Sequence, residues 1–327
     1  MNQLYCGIDI HKDSYSGCIM EQDGSLVRQH SFPSTKEGIE NFICGIPSSQ
    51  ITIAIEACGI WRGAYNIMKE MGYKVKLGNP LKTHQIACKK KTDKVDAMIL
   101  ADLLRTNYLP EVYIPDERIL QLRDLARHKS NVTRLKVTIQ NKIKGYLLRE
   151  GIKYPKRLWN KKALDQLASL EKMELNDFIQ TYWHLREKEN EVLGRVRKIS
   201  QNTRLTKILM THPGIGDFGS LMMVAEIADV NRFQSYKELI AYAGLCPGVY
   251  QSGDKSHSVA NHAVNKWLKW IVTECAGRAA MLDKNYMELY AKVKNKKGFK
   301  IARREVSRKM LRTVYHMLRN EEPYHAS

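Results

Sequence analysis

Four carboxylates in the first hundred residues sit where solubility does not ask for them. Asp9 follows the apolar run in Gly7-Ile8-Asp9, and Glu56 ends another in Ile53-Ala54-Ile55-Glu56. Asp93 and Asp96, in Lys91-Thr92-Asp93-Lys94-Val95-Asp96, open an expected helix, and their spacing of three puts both on one face. Strand ends that follow buried runs can converge at one sheet edge. Acids gathered in a dry pocket repel one another, and divalent cations relieve that repulsion; hard oxygen ligands suit Mg²⁺ or Mn²⁺. Two such ions about 3.5–4 Å apart orient both oxygens of an in-line phosphoryl displacement. Asp102, six residues past Asp96, is out of phase and is left out. The competing reading has Asp93 and Asp96 serve the helix N-terminus and Asp9 a turn. The presence of all four favours the metal site.

A second group of chemistry-bearing residues lies near the other end. Ser252 precedes Gly253 in a polar stretch, Pro247–Asn261, expected to be a loop. A small neighbour leaves its hydroxyl open for attack on a phosphodiester. No general base stands out, although Lys255, His257 and His262 are near; taken alone, Ser-Gly is a turn dipeptide. His212-Pro213-Gly214-Ile215-Gly216 resembles a helix-hairpin-helix turn, in which backbone N–H groups beside Gly214 and Gly216 would grip a phosphate. After Lys296 and Lys297, Lys300, Arg304, Arg308 and Arg312 at steps of four form a basic ridge on the last helix. It could track a phosphate backbone, or be a solvated face. Trp267, Trp270 and Tyr290 are expected in the core.

Charge adds a map. The 327 residues carry 53 Lys and Arg against 34 Asp and Glu, a net of +19, which points to polyanionic partners. Residues 1–115 hold 13 basic and 12 acidic residues, whereas 116–201 and 202–327 each hold 20 and 11. The acids that should hold metal therefore lie in a neutral third, and the excess lies elsewhere. No run of about 18 apolar residues exists, so a membrane is not the expected partner. The opening MNQLYCGIDIHKD lacks the pattern of a signal peptide. Seven scattered cysteines without a CxxC argue against a disulfide framework and for a reducing cytoplasm.

These residues need elements to hold them. Leu4–Ile10, Ser16–Glu21 and Leu26–Phe32 read as a strand meander, with Asp23-Gly24 as a hairpin signal. Thr35–Ile43 is an expected helix, Ile51–Glu56 a buried strand, Trp61–Met71 a helix, Tyr73–Leu77 a strand and Val95–Arg105 a helix. That order predicts an α/β sheet domain over 1–115. Apolar residues at three- and four-residue steps (Ile119, Leu122, Leu125, Val132, Leu135, Ile139, Ile143, Tyr146) predict a long helix. Phe178, Tyr182, Leu185, Val192, Val196 and Ile199 predict another, making a coiled coil or helical hairpin over 116–201. Residues 202–327 predict a mostly helical domain.

Taken in order, the motifs resemble the insertion-sequence transposase family numbered one hundred and ten, whose members are recombinases guided by a bridge RNA. The resemblance runs through Gly7-Ile8-Asp9-Ile10-His11-Lys12, Ile55-Glu56-Ala57-Cys58-Gly59, Asn79-Pro80 and Lys91-Thr92-Asp93-Lys94-Val95-Asp96-Ala97. It continues in Pro213-Gly214-Ile215-Gly216, Tyr242-Ala243-Gly244-Leu245-Cys246-Pro247, Gln251-Ser252-Gly253 and Asn265-Lys266-Trp267-Leu268. It implies an RNase H-like (RuvC-like) N-terminal domain whose DEDD acids fall on Asp9, Glu56, Asp93 and Asp96, working with Mg²⁺. It implies a C-terminal transposase domain whose serine nucleophile falls on Ser252 and links covalently to DNA. It further implies donor and target DNA and a guide RNA as partners, a homo-oligomer built from dimers into a tetramer, and a cytoplasmic, nucleoid-associated enzyme. The sequence departs from the family after Ser252, where Asp254-Lys255-Ser256-His257 replaces a glycine-containing basic stretch. Two other readings stand beside it: a Holliday-junction endonuclease using the four acids and water, and an architectural nucleic-acid-binding protein.

Overall fold

The computed structural model describes residues 3–86, 92–246, 248–252, 255–259 and 264–325, with 248–252 and 255–259 described as backbone. The chain forms two compact units, Met1–Ile114 and Pro115–Ser327.

The first unit opens with the meander β1 (Leu4–Ile10), β2 (Ser14–Met20) and β3 (Leu26–Pro33). Then come α1 (Lys36–Ile43), β4 (Ile51–Glu56), α2 (Trp61–Glu70), β5 (Lys74–Gly78), α3 (Pro80–Ile86) and α4 (Asp93–Arg105). The sheet order is β3-β2-β1-β4-β5. β1 pairs antiparallel with β2 and parallel with β4, and β4 pairs parallel with β5. β4 lies between two parallel neighbours, and five of its six residues are buried, as a continuous β-branched run requires. One sheet face packs on α1 and α2, where Phe32 and Phe42 stack with centroids 4.4 Å apart. Ala54 on the other face clusters with Leu100, Leu103 and Leu104 of α4. α3 was not expected from the sequence.

Gly7 explains how closely α4 lies on β1. A Cβ there would stand 2.1 Å from the Ala97 carbonyl oxygen and 2.5 Å from the Ala101 nitrogen. Only a residue without a side chain allows that approach. Thr92 caps α4, its hydroxyl accepting from the Val95 N–H at 3.3 Å, so the helix opens at Asp93, two residues before its apolar stripe begins at Val95.

The second unit begins with α5 (Glu117–Arg149), α6 (Lys161–Ala168) and α7 (Met173–Ser200). α5 and α7 are joined by Glu189, which accepts from Thr133 at 2.6 Å, pairs with Lys136 and lies 3.7 Å from Lys129. Most of the expected α5 stripe is buried or half-buried, but Leu135 is 55% exposed. α8 (Arg204–Met210), α9 (Asp217–Ile227) and α10 (Tyr236–Tyr242) follow. The chain ends with β6 (Gly248–Ser252), β7 (Lys255–Val259), α11 (Lys266–Leu282), α12 (Lys284–Lys297) and α13 (Phe299–Asn320). The core gathers around α9, whose residues from Gly219 to Ile227 are all buried, and takes Val306, Met310, Val314 and Met317 from α13. The helices 116–201 thus share a unit with those after 202.

Two expectations need correction. The stretch read as a polar loop contains the antiparallel hairpin β6–β7, in register from Gly248↔Val259 to Ser252↔Lys255. Val249, Tyr250 and Val259 supply β-forming residues on either side of Gly253-Asp254, a composition that favours hairpin closure. Trp270, expected in the core, is 41% exposed, because it points away from the buried stripe of α11 formed by Leu268, Ile271, Val272 and Cys275.

Candidate active site

Asp9 and Glu56 reach one sheet edge by strand pairing. β1 and β4 run parallel with Ile8 beside Ile55, so Asp9 and Glu56 are the next residues on adjacent strands. Side chains alternate faces along a strand. Asp9, two residues beyond Gly7, and Glu56, two beyond Ala54, therefore belong to the face covered by α4.

The first turn of α4 brings the remaining acids. Asp9 Oδ2 lies 3.1 Å from His11 Nε2, and Asp93 Oδ1 lies 3.4 Å from the same nitrogen. Ligand atoms of Asp9, His11 and Asp93 all fall within 4.8 Å of one another. Burial raises the Asp9 carboxyl above its ordinary value; the His11 imidazole pulls it back, while Asp96 and then Asp93 push it up. Asp9 and Asp93 are thus brought together, and Asp96 acts on Asp9 through its charge. Glu56 is placed by its strand and lies outside this three-residue cluster.

The donor set fits a small divalent cation. Carboxylate oxygens dominate, with one imidazole nitrogen that Mn²⁺ tolerates. The repulsion felt by Asp9 is the kind a cation removes. The sequence shows His11 as part of a motif and gives it no sign of being a ligand. It is half-exposed and two residues past an acid, and a lone histidine in that position carries little signal. Asp102 pairs with Arg105 at 2.6 Å.

Ser252 ends β6, and its cross-strand partner is Lys255 at the start of β7; His262 lies outside the described residues. The described residues on either side of this hairpin are held by the helices. Arg308 Nε donates to the Leu245 carbonyl at 2.7 Å, and the Asn265 N–H donates to the Tyr242 carbonyl at 2.8 Å. Asn265 Nδ2 also donates to Glu226 Oε2 at 2.8 Å, while its Oδ1 caps α11 by accepting from Leu268 N–H. Glu226 is wholly buried and receives a bidentate pair from Arg127 at 2.7 and 3.0 Å. The sequence reading missed this network. Its one signal was a lone acid inside the apolar run Leu221–Ile227.

The remaining candidates divide. Lys296, Lys297, Lys300 and Arg304 are exposed. Arg308 is half-buried, and its fork is occupied by Leu245 and by Glu305 at 2.5 Å, which gives it a task inside the fold. Gly214 has φ +91°, and a Cβ there would meet the Ala279 nitrogen at 2.6 Å, so the turn is pressed against α11. Gly216 precedes α9, whose first residue, Asp217, already puts a carboxylate in the turn where a phosphate would sit.

Residues 6–151 match the family model of the DEDD transposase domain of IS110, described as a transposase, and residues 206–292 match that of the transposase IS116/IS110/IS902 family. The chain is 25% identical to the pilin gene-inverting proteins of Moraxella bovis and Moraxella lacunata, over 99% of this chain and 98% of each of theirs. It is 20% identical to the transposase for insertion sequence element IS1111A of Coxiella burnetii, over 76% of this chain and 70% of that one. No helix among the described residues is long and apolar enough to cross a membrane.

Proposed function

Since the chain belongs to the IS110 family of transposases, enzymes of DNA recombination, we propose that it cuts and rejoins DNA through a covalent link to Ser252, with Asp9, Glu56, Asp93 and Asp96 as its metal-holding acids. The observation that carries the metal half is the convergence of Asp9, on β1, and Asp93, at the head of α4, on His11. The mixed sheet, with three antiparallel strands and two parallel ones, supports an RNase H-like reading of this unit.

In the reaction Ser252 Oγ attacks a phosphorus of the DNA backbone. A new O–P bond forms, the serine proton passes to a base, and the bond to one deoxyribose oxygen breaks; that oxygen takes up a proton and leaves as a strand-end hydroxyl. The phosphoserine ester preserves the phosphodiester's bond energy, so a different strand hydroxyl can reverse the attack and rejoin the DNA without an added energy source. A divalent cation, Mg²⁺ or Mn²⁺, would supply charge stabilisation of the phosphoryl oxygens. Asp9 and Asp93 would hold that cation, and His11, within 3.1 and 3.4 Å of their carboxylates, keeps the two acids close together.

Inversion and transposition both need cutting followed by rejoining, and the names of the Moraxella and Coxiella relatives span these two outcomes. Donor and target DNA would be gripped by the exposed cations Lys296, Lys297, Lys300 and Arg304, with Lys255 beside the serine. A guide RNA that pairs with both DNAs, and a dimer-to-tetramer assembly in which acids and serine come from different protomers, complete the reading.

The test is denaturing electrophoresis of the protein incubated with labelled DNA from its element junction, guide RNA and Mg²⁺. Wild type should give a protein–DNA adduct, and Ser252→Ala none. If Ser252→Ala still cuts and wild type forms no adduct, water is the nucleophile and the serine mechanism fails in favour of a junction-endonuclease one.

A further inference from the structure

The second unit contains a cavity of about 1020 Å³ that the reaction above does not use. It lies among α5, α7, the start of α9 and α11. Its volume reaches the upper end of ligand pockets, about 300–1,000 Å³. Three aromatic rings line it: Phe218, Trp267 and Trp270. Trp267 already has cations near its face, Arg134 at 5.7 Å and Arg127 at 5.8 Å. Phe218 has Lys129 at 4.5 Å. Trp270 has neighbouring rings, Trp267 at 6.2 Å and Phe218 at 6.1 Å, and remains 41% exposed. It is the ring with surface to offer.

The charges of the lining select the occupant. Arg134, Arg197, Lys266 and Arg278 face Asp217 and Glu274, a positive balance that complements phosphate rather than an acidic or purely apolar partner. An exposed indole in a cavity that guanidinium and ammonium groups also line matches the way unpaired bases are held: the base stacks on the ring and its phosphates meet the cations. We propose that this cavity receives unpaired nucleotides of a nucleic-acid strand, with Trp270 as the stacking platform and Arg278 and Arg134 as phosphate contacts. The proposal rests on the reading of this chain as an enzyme acting on nucleic acid and adds a binding site within the helical unit. The stacking chemistry is common to RNA and DNA, and the experiment separates them.

The test uses the full chain and fluorescence anisotropy of labelled, unstructured 12-nucleotide RNA and DNA strands, with a blunt duplex as control. Trp270→Ala should weaken binding of at least one strand type about five- to fiftyfold, the scale of losing one stacked base. The strand affected identifies the source. Duplex affinity should stay within twofold and Trp270→Phe within about threefold of wild type. With unaltered protein, strands carrying abasic sites should lose a similar factor, so the conclusion does not depend on one variant. Trp270→Ala strands bound as tightly as by wild type would overturn the site, as would an equal loss on duplex. A change of oligomeric state in sedimentation with strand affinity unchanged would assign the cavity to a second copy of the chain. If wild type binds neither strands nor duplex, the nucleic-acid reading itself falls.

Discussion

Asn265 and Glu226 are joined by a hydrogen bond of 2.8 Å inside the helical unit, and through it the start of α11 is tied to the buried acid of α9. Asn265 follows the hairpin that bears Ser252 and caps α11, and Tyr242, whose hydroxyl lies 3.0 Å from the same amide, is the last residue of α10 before it. Glu226 therefore touches both ends of the segment that bears the serine, its carboxylate through Asn265 and its backbone carbonyl through the Tyr242 hydroxyl at 3.5 Å.

Loss of Glu226 should therefore be felt through the second unit. Removing one member of a buried pair leaves its partners uncompensated, at a cost of about 3–5 kcal/mol. Glu226→Ala should lie near the lower figure, because Arg127 is 37% exposed and can recover some water. Glu226→Gln keeps an acceptor for Asn265 and should lose less. Urea unfolding midpoints of the three proteins would order them; an alanine variant as stable as wild type would contradict the assignment.

His212 gives the same unit a pH response. Its Nδ1 lies 2.7 Å from the Pro213 carbonyl, which can only accept, so Nδ1 carries the proton and Nε2 accepts from the Tyr286 hydroxyl at 2.9 Å. Burial holds the imidazole below its ordinary value of 6.5, only partly offset by the Pro213 bond. The folded state therefore binds the proton later than the unfolded state as pH falls. The stability linked to His212 is complete above 6.5 and is lost as pH drops below it toward the lower folded value, by at most about 1.4 kcal/mol per pH unit. Unfolding midpoints from pH 8 to 5 should fall, and the decline should be shallower in His212→Phe.

Much of the acidic site was legible because its signals are local. Asp9 and Glu56 follow apolar runs that read as strands, and Asp93 and Asp96, three apart, read as the opening of a helix. The convergence was less legible. It depends on β1 and β4 being parallel neighbours and on Gly7 admitting α4, both long-range facts. His11 carries no periodicity that would separate it from any exposed histidine. The hairpin was hidden because Ser, Gly, Asp and Lys outweigh its few β-branched residues. Trp270 was misjudged because helical spacing identifies a stripe but not the residue one position off it.

The acids make a stability–function trade visible in the first unit. Asp9 is raised by burial first and by its acidic neighbours after that. Its favourable contribution is therefore present at low pH and lost as pH rises through the folded value, so at neutral pH the ionised group is a burden unless a cation is bound. Asp9→Asn should stabilise the metal-free protein by about 0.5–1 kcal/mol, the usual yield of relieving such a site. The same variant should gain nothing from Mn²⁺, whereas the wild-type melting temperature should rise with it. Calorimetric scans with and without Mn²⁺ measure both effects; a variant that melts lower without metal would refute the account.

Gly7 is the point where packing and chemistry meet. Its missing side chain lets α4 rest on β1, and α4 carries Asp93 and Asp96. In Gly7→Ala the new Cβ, 2.1 Å from the Ala97 carbonyl oxygen, has backbone on the far side and no flexible tip to displace. The helix must move outward, at about 1–3 kcal/mol for overpacking. That shift carries Asp93 away from Asp9 and His11, so metal affinity should fall even in protein that remains folded. Ala101→Gly, which leaves the Gly7 contact in place and costs about 1 kcal/mol of helix propensity, is the matched control. Mn²⁺ titrations followed by electron paramagnetic resonance should show weakened binding for Gly7→Ala and near-normal binding for Ala101→Gly. Equal affinities in the two variants would mean that the approach of α4 to β1 does not set the site.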